Sequence, residues 1–349
     1  MPSSRPAVHL ISADLPLLAC RLVVAERARL AERPPAVLDL SGEAWLAQLQ
    51  ALHPDAGLTS FEALPYGLQL WIQLQPRLEP WLQLLELQEL EPLLAPPLPG
   101  VEMVLRCLCL AEAYERNPDL TVLLPAPAEA TALLELARTG PSLVEGLLEP
   151  LLLWWDQIRQ SLSSLELVLR LRLPSSAGLR LDDTWRRRLE RLAEALGPDG
   201  GWQFTVALDQ GDPAAELLRC RLIGMAFRGC VPSRLGLHGP GAAALLAAPP
   251  DWLPSALPVL ALEPSADEGS LVSLLALASL EPPTPSGPDR IILPLPGLLK
   301  SELDVQQIGS VVVLRSQGHR RLVPLPAALE GKLCSGARLE GGWLELRFG

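Results

Sequence analysis

The chain has 349 residues, of which 49% are hydrophobic and 4% aromatic, and its formal net charge is −11. This length and apolar content exclude intrinsic disorder and predict about two domains. The negative charge argues against nucleic acid or an anionic membrane surface as the main partner, because both attract basic patches.

The sequence also argues against a membrane span and a metal site. The most apolar stretch, residues 147–155, is interrupted by Glu149 and is too short to cross a bilayer. Residues 1–6 lack the basic start and apolar segment of a secretory signal. No His lies at zinc-ligand spacing from a Cys, so we expect buried, reduced thiols and no metal. We therefore expect a soluble cytoplasmic protein that is not an integral membrane protein.

The chain opens with the pattern of an α/β protein. Apolar runs at Ala7–Ser12 and Ala36–Leu40 predict strands, and the 3.6-residue spacing over Leu17–Arg33 predicts a helix between them. A strand, a crossover helix and a second strand this close together imply a parallel pair in a buried sheet.

Residues 67–98 are rich in Leu, Gln, Trp and Pro. Pro76, Pro80 and Pro92 predict that this stretch is broken into short helical pieces. Its apolar residues exceed what one helix face needs, which leaves two interpretations. We favour an internal helical layer packed on the sheet over an exposed partner-binding surface.

From residue 101 onward, helical and strand patterns alternate, which predicts a parallel-sheet domain. Asp182 or Asp183 is a suitable N-cap for one of the helices, and Gly197 lies just past its end. The predicted helices and strands are, in chain order, Val101–Arg116, Asp119–Leu124 (strand), Ser142–Leu173, Asp183–Leu196, Trp202–Leu208 (strand), Asp212–Arg228 and Arg234–His238 (strand).

A Pro-rich segment, 281–289, predicts a linker, and beyond it the pattern changes to the period of two that is typical of strands. We predict an α/β domain over 1–280, with helical insertions at about 64–116 and 142–196, and a small β domain over 290–349. The turn at 316–318 predicts a hairpin, with His319, Arg320 and Arg321 at its solvated tip. The predicted strands are Arg290–Leu295, Ser310–Arg315, His319–Leu325 and Trp343–Phe348.

The C-terminal motifs resemble the α-crystallin-like (small heat-shock-protein) domain carried by many ArsA-type proteins. The matching segments are residues 291–297, 310–315, 318–321, 324–326 and 337–348. Upstream, the order of elements resembles the ArsA-type arsenite-pump ATPases and their relatives that guide tail-anchored membrane proteins. The resemblance implies a P-loop-NTPase-like, mostly parallel sheet flanked by helices, followed by an all-β α-crystallin-like sandwich.

The family's phosphate-binding loop reads G-K-G-G-V-G-K-T, in which glycine N–H groups approach phosphate, Lys neutralises it and Thr holds Mg²⁺. The corresponding positions here run from Ala13 to Cys20 and contain no glycine. Asp14 stands at the first Lys, Ala19 at the second and Cys20 at the Thr. Pro16 also removes a backbone donor. The resemblance therefore implies a degenerate Walker A motif.

Two further nucleotide elements of the family are replaced. In its D-T-A-P-T-G motif the Asp organises Mg²⁺; Leu124 and Pro125 stand at the first two of these positions here. His238 stands at the adenine-reading Asn. Near the family's first switch, Asp39 and Ser41 keep an acidic residue and a hydroxyl.

Three functions stay open, and we favour the first, a pseudo-ATPase without cofactor. It would bind a protein client, such as a hydrophobic membrane-protein segment, and would form dimers as the family does. The second is an active ATPase that binds ATP and Mg²⁺ at an unconventional phosphate site. The third is a structural subunit that pairs with an active paralogue. By the resemblance, and because Trp is enriched at interface hot spots, the client-binding candidates are Trp71, Leu74, Trp81, Leu85, Trp154 and Trp155.

Overall fold

The computed structural model describes residues 8–30, 34–42, 50–51, 58–84, 100–161, 173–180, 182–197, 200–211, 215–263, 265–280, 287 and 289–349. Within these ranges, a seven-stranded sheet is followed by two three-stranded sheets. The predicted fold class, a helix-flanked parallel sheet with a small all-β region at the C-terminus, is confirmed.

All neighbouring strands of the large sheet are parallel, in the order β3-β2-β4-β1-β5-β6-β7. The strands are short and apolar, and those at the centre are buried on both faces, as parallel strands covered by helices require. Their bounds are β1 Val8–Ala13, β2 Ala36–Asp39, β3 Leu58–Ser60, β4 Leu120–Leu123, β5 Gln203–Asp209, β6 Arg234–His238 and β7 Val259–Leu262.

One prediction about this sheet needs correction, because β1 and β2 do not pair with each other. β4 lies between them: Val122 of β4 is the register partner of both Leu10 in β1 and Leu38 in β2. The helix after β1 thus crosses over β4 to reach β2. The strand that separates β1 from β2, β4, comes more than 80 residues after β2 in the chain. Sequence proximity favours pairing of consecutive strands but does not dictate it.

The helices form a layer on each face of the sheet. α1 and α9 pack with Ile11, Leu123 and Ala207 on one face. The residues between these in the same strands, such as Leu10 and Val122, face the other side of the sheet. There they pack against α3, α4, α6 and α7. The helices are α1 Pro16–Arg29, α2 Ala63–Leu84, α3 Val101–Arg116, α4 Pro127–Leu143, α5 Glu149–Ser161, α6 Asp183–Ala195, α7 Glu216–Phe227, α8 Ala242–Ala247 and α9 Glu268–Ala276.

α2 contradicts the prediction of short helical pieces, because it continues unbroken through Pro76 and Pro80. A proline removes one N–H and crowds the carbonyl four residues earlier. These two prolines are four residues apart and both are exposed, so both disturbed carbonyls lie on a solvated face where water can bind them. Pro92 lies outside the described residues.

The predicted block Ser142–Leu173 is divided in the structure. α4 runs to Leu143, a π-helical turn covers Val144–Leu148, and α5 follows to Ser161; residues 162–172 lie outside the described part. The predicted cap of α6 is confirmed, because the Asp182 carboxylate accepts the N–H groups of Thr184 and Trp185 at 3.1 and 2.9 Å. No helix in the described ranges is both long and apolar enough to cross a membrane.

The C-terminal β module, residues 289–349, consists of two antiparallel sheets with the strand orders β11-β10-β9 and β12-β13-β8. The predicted hairpin is present: Gln317 and Gly318 both have positive φ (47° and 80°), as a two-residue type I′ turn requires. Leu344, Leu346 and Phe348, at alternate positions of the last strand, all face the module's core. The strands are β8 Arg290–Pro294, β9 Asp304–Ile308, β10 Val311–Ser316, β11 His319–Pro324, β12 Cys334–Glu340 and β13 Trp343–Phe348.

The β module packs on α7 of its own chain. Ile223 and Phe227 of α7 share a core cluster with residues of β8, β10 and β13. Gly297, at φ 87°, lies so close to α7 that a Cβ there would meet the Arg219 carbonyl oxygen at 3.1 Å and Ile223 Cγ1 at 3.0 Å. Arg321 of β11 donates to the Ala226 carbonyl at 2.8 Å. The module is therefore anchored on one helix of the α/β domain by apolar and polar contacts.

Candidate functional site

The carboxyl edge of the large sheet is the place where parallel α/β proteins bind ligands, in the crevice where the strand order reverses. β1 lies at the centre of the sheet, between β4 and β5. The helix after β1 covers one face and the helices after β4 and β5 cover the other. The ends of these three strands therefore define the candidate site.

The connection from β1 to α1 is very short. Ala13 is the last residue of β1, Asp14 and Leu15 form the connection, and Pro16 begins the helix. Ala19 and Cys20 lie within α1 and are fully buried. Burial, with the nearby Asp39 charge, raises the pKa of the Cys20 thiol to about 12. These two positions are thus part of the core on the α1 face of the sheet.

Asp14 is held at the end of β1 by an ion pair with Arg221 of α7. Arg221 donates through both terminal nitrogens to the two carboxylate oxygens, at 2.7 Å for Nη1 to Oδ2. The N–H of Asp209, the last residue of β5, donates to the same Oδ2 at 2.6 Å. Burial alone would raise the pKa of Asp14, but the bonds from Arg221 and Asp209 outweigh it and the pKa is lowered. Asp14 therefore carries a fixed negative charge.

This junction does not fit a triphosphate. A phosphate-binding loop presents successive backbone N–H groups from glycines and a free cation. Here the position after β1 presents a carboxylate, and Arg221 already binds it in a bidentate pair. The N–H of Ala19 donates within the helix to the Leu15 carbonyl.

The end of β4 lacks a metal-binding carboxylate. Leu124 is fully buried, and its N–H donates to the Ile11 carbonyl at 2.8 Å. The Pro125 carbonyl accepts the Ser12 hydroxyl at 2.6 Å. Both contacts hold the chain against β1 before α4 begins. Within the described ranges, no three His, Cys, Asp or Glu side chains are grouped so that they could hold a metal ion.

His238 ends β6 and is only 3% exposed. Its Nδ1 lies 3.6 Å from Oδ1 of Asp209, on the strand next to it. Its Nε2 is buried and has no hydrogen-bond partner in the part of the chain that the structure describes. His238 also contributes to the lowered pKa of Asp14, so Asp14, Asp209 and His238 share one electrostatic environment.

Asp39, at the end of β2, is buried beside an acidic cavity. Its Oδ1 accepts the N–H and the hydroxyl of Ser41 at 2.8 and 2.6 Å. Burial raises the pKa of Asp39, and the Ser41 bonds and the Arg106 charge offset this only in part. The adjoining cavity of about 470 Å³ is also lined by Glu62 and Glu102. Carboxylates thus lie at the ends of β1, β2 and β5, and the one at the end of β1 is paired with Arg221.

The structure separates the predicted client-binding tryptophans into two groups. Trp81 and Trp155 are half-buried and pack together, with ring centroids 5.1 Å apart. Their indole N–H groups donate to the Ser175 and Pro174 carbonyls at 3.2 and 2.9 Å. Trp154, by contrast, is 59% exposed.

The other predicted client-binding residues lie on α2. Trp71 is half-buried, and Leu74 is exposed. Leu70 is the buried residue of this helix, so α2 is more exposed than an internal helical layer would be. Leu85 lies outside the described residues.

Four exposed apolar residues lie at the start of α5 and are named here the α5 surface: Leu148, in the π-helical turn before the helix, and Leu151, Leu153 and Trp154 of the helix itself. Leu151, Leu153 and Trp154 are each more than half exposed. Only Leu152 of this helix is buried. Several exposed large apolar side chains this close together in the chain are typical of an interaction site.

α7 has a role that no sequence pattern predicted. Arg221 reaches Asp14 at one end of the sheet, while Arg219, two residues earlier, donates to the Gly297 carbonyl of the β module at 2.9 Å. Because residues two apart on a helix point to different sides, α7 contacts both the sheet edge and the module. Asp14 and Arg221 are 207 residues apart, so no local pattern could reveal the pair.

Comparison with known proteins matches the C-terminal β module to a family model and most of the chain to a relative. Residues 287–348 match the family model described as the HSP20-like domain found in ArsA. The predicted C-terminal resemblance is therefore confirmed, and it supports a relationship to ArsA proteins. An uncharacterized protein of Streptomyces coelicolor is 28% identical over 335 residues, covering 86% of this chain and 82% of that protein. The chain thus combines a parallel α/β domain with an HSP20-like β domain.

Proposed function

We propose that this chain is an ArsA-like protein that does not hydrolyse ATP and that binds an apolar protein segment on the α5 surface. The observation that carries the first half is the bidentate ion pair of Asp14 and Arg221 at the end of β1. The observation that carries the second half is the exposure of Trp154 and its leucine neighbours.

The charge at the sheet edge supports a protein without nucleotide chemistry. A triphosphate carries several negative charges and would have to lie against the Asp14 carboxylate. To bind there, it would have to displace the carboxylate from Arg221, which would leave a partly buried anion without its main partner. The replacement of the Mg²⁺-organising Asp by Leu124 removes a ligand for the metal as well.

The α5 surface supports an apolar helical partner. Leu148, Leu151 and Trp154 follow one another at intervals of three residues and share one side of the helix, and Leu153, next to Trp154, extends this side to a broad arc. An amphipathic or fully apolar helix can pack on such an arc through its own side chains. Tryptophan is the residue type that most often dominates the binding free energy of such contacts, and Trp154 is exposed near the centre of the arc.

The experiment uses a fluorescently labelled 20-residue Leu/Ala helix with charged ends as the probe, and measures its anisotropy against the full-length protein. We expect saturable binding that Trp154→Ala weakens by roughly 30-fold, since a hot-spot residue contributes about 2 kcal/mol. Binding should be the same with and without Mg-ATP.

Two results would contradict the proposal. Equal affinity of the wild type and Trp154→Ala would show that the α5 surface is not the binding site. Peptide binding that depends on Mg-ATP would show that the protein couples a nucleotide to its partner. Leu217→Ala is a matched control, because Leu217 is 60% exposed on α7, outside the α5 surface.

A further inference from the structure

A second cavity, between the α/β domain and the β module, differs in charge from the acidic sheet edge. It has a volume of about 190 Å³. It is lined by the first turn of α4, through Ala128 and Thr131, by one face of α7, and by β11 of the module. Its polar side chains are Thr131, Arg221, Arg228 and His319, and the last three are those that can carry positive charge.

Positive charge exceeds negative charge around this cavity. Arg221 is paired with Asp14. Among the described residues, the carboxylate within ion-pair distance of Arg228 is that of Glu135, with Nε and Oε2 3.7 Å apart, and the Arg228 side chain is 45% exposed. Such a pair at a half-exposed position contributes little and leaves the guanidinium free to bind another anion.

Two more arginines lie at the C-terminal end of α7, the helix that lines the cavity. Arg138 of α4 and Arg321 of β11 both bind carbonyls at the C-terminal end of α7, and neither is within ion-pair distance of a carboxylate among the described residues. Burial and the like charge of Arg138 lower the pKa of Arg321 to about 10. Together with Arg221 and Arg228, these two residues bring four guanidinium groups to the neighbourhood of the cavity, in a chain whose net charge is −11.

We infer that the cavity bounded by Arg221, Arg228 and His319 is a binding site for a phosphate-sized oxyanion. Arg228 supplies the fork of N–H donors that matches such an anion, and His319 faces it from the β module. The cavity volume of about 190 Å³ accommodates an ion of this size together with water or a small substituent, since one water takes about 30 Å³.

The position of the site gives the anion a structural effect. Arg228 belongs to the α/β domain at the end of α7, whereas His319 belongs to β11 and lies over Gly224, 3.8 Å from the position of an added Cβ. An anion bound to both side chains bridges the two parts of the chain. Its binding should therefore raise the thermal stability of the docked module by mass action. The inference does not rest on the proposed function, because the cavity lies apart from the α5 surface.

The experiment titrates inorganic phosphate into the full-length protein at constant ionic strength, with chloride as the reference, and follows the thermal midpoint. We expect a saturable rise for the wild type. Arg228→Gln should weaken the apparent affinity at least tenfold, because it removes charged hydrogen bonds to the anion. Arg320→Gln is the matched control: Arg320 is the exposed neighbour of His319 on β11 and does not line the cavity, so its phosphate affinity should equal that of the wild type.

His319→Gln tests the same site from the module's side and should also weaken phosphate binding. It keeps the inference testable if Arg228→Gln does not fold. The inference is wrong if phosphate produces no saturable shift beyond that of chloride. It is also wrong if Arg228→Gln or His319→Gln keeps the wild-type affinity. Neither result bears on peptide binding at the α5 surface.

Discussion

The ion pair of Asp14 and Arg221 should be a measurable source of stability. The Asp14 carboxylate accepts two bonds from Arg221 and one from the Asp209 N–H. Hydrogen bonds to a charged group contribute roughly 1.5–3 kcal/mol, but both side chains are about a quarter exposed, which reduces the value. Arg221→Met keeps most of the aliphatic stem and leaves Asp14 with one backbone donor. We expect it to lower the free energy of unfolding by about 2 kcal/mol.

A double-mutant cycle with Asp14→Asn isolates the interaction, measured by urea denaturation followed by circular dichroism. We expect a coupling energy of about 1–2 kcal/mol at pH 7. Because the pKa of Asp14 is lowered on folding, its contribution is present above the unfolded value of 3.8 and is lost as the pH falls below it. The stability difference between the wild type and Asp14→Asn should therefore shrink in acid. A coupling energy under about 0.3 kcal/mol, the limit of additivity, would refute the interpretation of this pair as a fixed ion pair.

Two further predictions use the same denaturation assay. Glu26 is fully buried; burial raises its pKa, but bonds from Arg29 and His9 outweigh this and lower the pKa from 4.5 to about 2. Glu26→Gln should cost about 3 kcal/mol at pH 7, an effect that fades as the pH falls from 4.5 toward 2; a difference that persists undiminished at pH 2 would contradict it. Trp155→Ala should cost about 2 kcal/mol because Trp155 packs half-buried, whereas Trp154→Ala should cost under about 0.5 kcal/mol; equal losses would mean that Trp154 is a core residue.

The elements that the sequence predicts well are those determined by local chemistry. Asp182 caps α6 because its carboxylate reaches N–H groups two and three residues later. The two-residue turn before His319 follows from the positive φ of Gln317 and Gly318. The alternation of Leu344 and Leu346 toward the core follows from the period of a strand.

The elements that the sequence does not predict depend on distant partners or weak patterns. β12 contains Gly336 and two charged residues, Arg338 and Glu340, and it forms a strand because β13 pairs with it along its length. β7 lies among prolines and is paired by β6 alone. The continuity of α2 through Pro76 depends on which face of the helix is solvated, which no local rule reveals.

At the candidate site, the resemblance predicts which positions correspond to the family's nucleotide motifs but not which residues they contact. Asp14 at a lysine position predicts repulsion of phosphate; the structure adds that Arg221 already neutralises it. The tryptophans looked equivalent in sequence, yet Trp155 packs against Trp81 while Trp154 is exposed. Such differences arise from packing between residues more than 70 positions apart in the chain, here Trp81 and Trp155.

Equilibrium binding of Mg-ATP, measured by titration calorimetry on the purified full-length protein, tests the central claim most directly. We expect no heat of binding and no thermal shift at millimolar nucleotide, because the Asp14 carboxylate and its Arg221 partner occupy the position where the resemblance would put the phosphate chain. The titration is repeated with saturating inorganic phosphate, which fills the cavity of Arg228 and His319. Any heat that remains then comes from nucleotide bound elsewhere. Micromolar affinity for Mg-ATP under those conditions would contradict the account and would require a phosphate site elsewhere on the sheet edge.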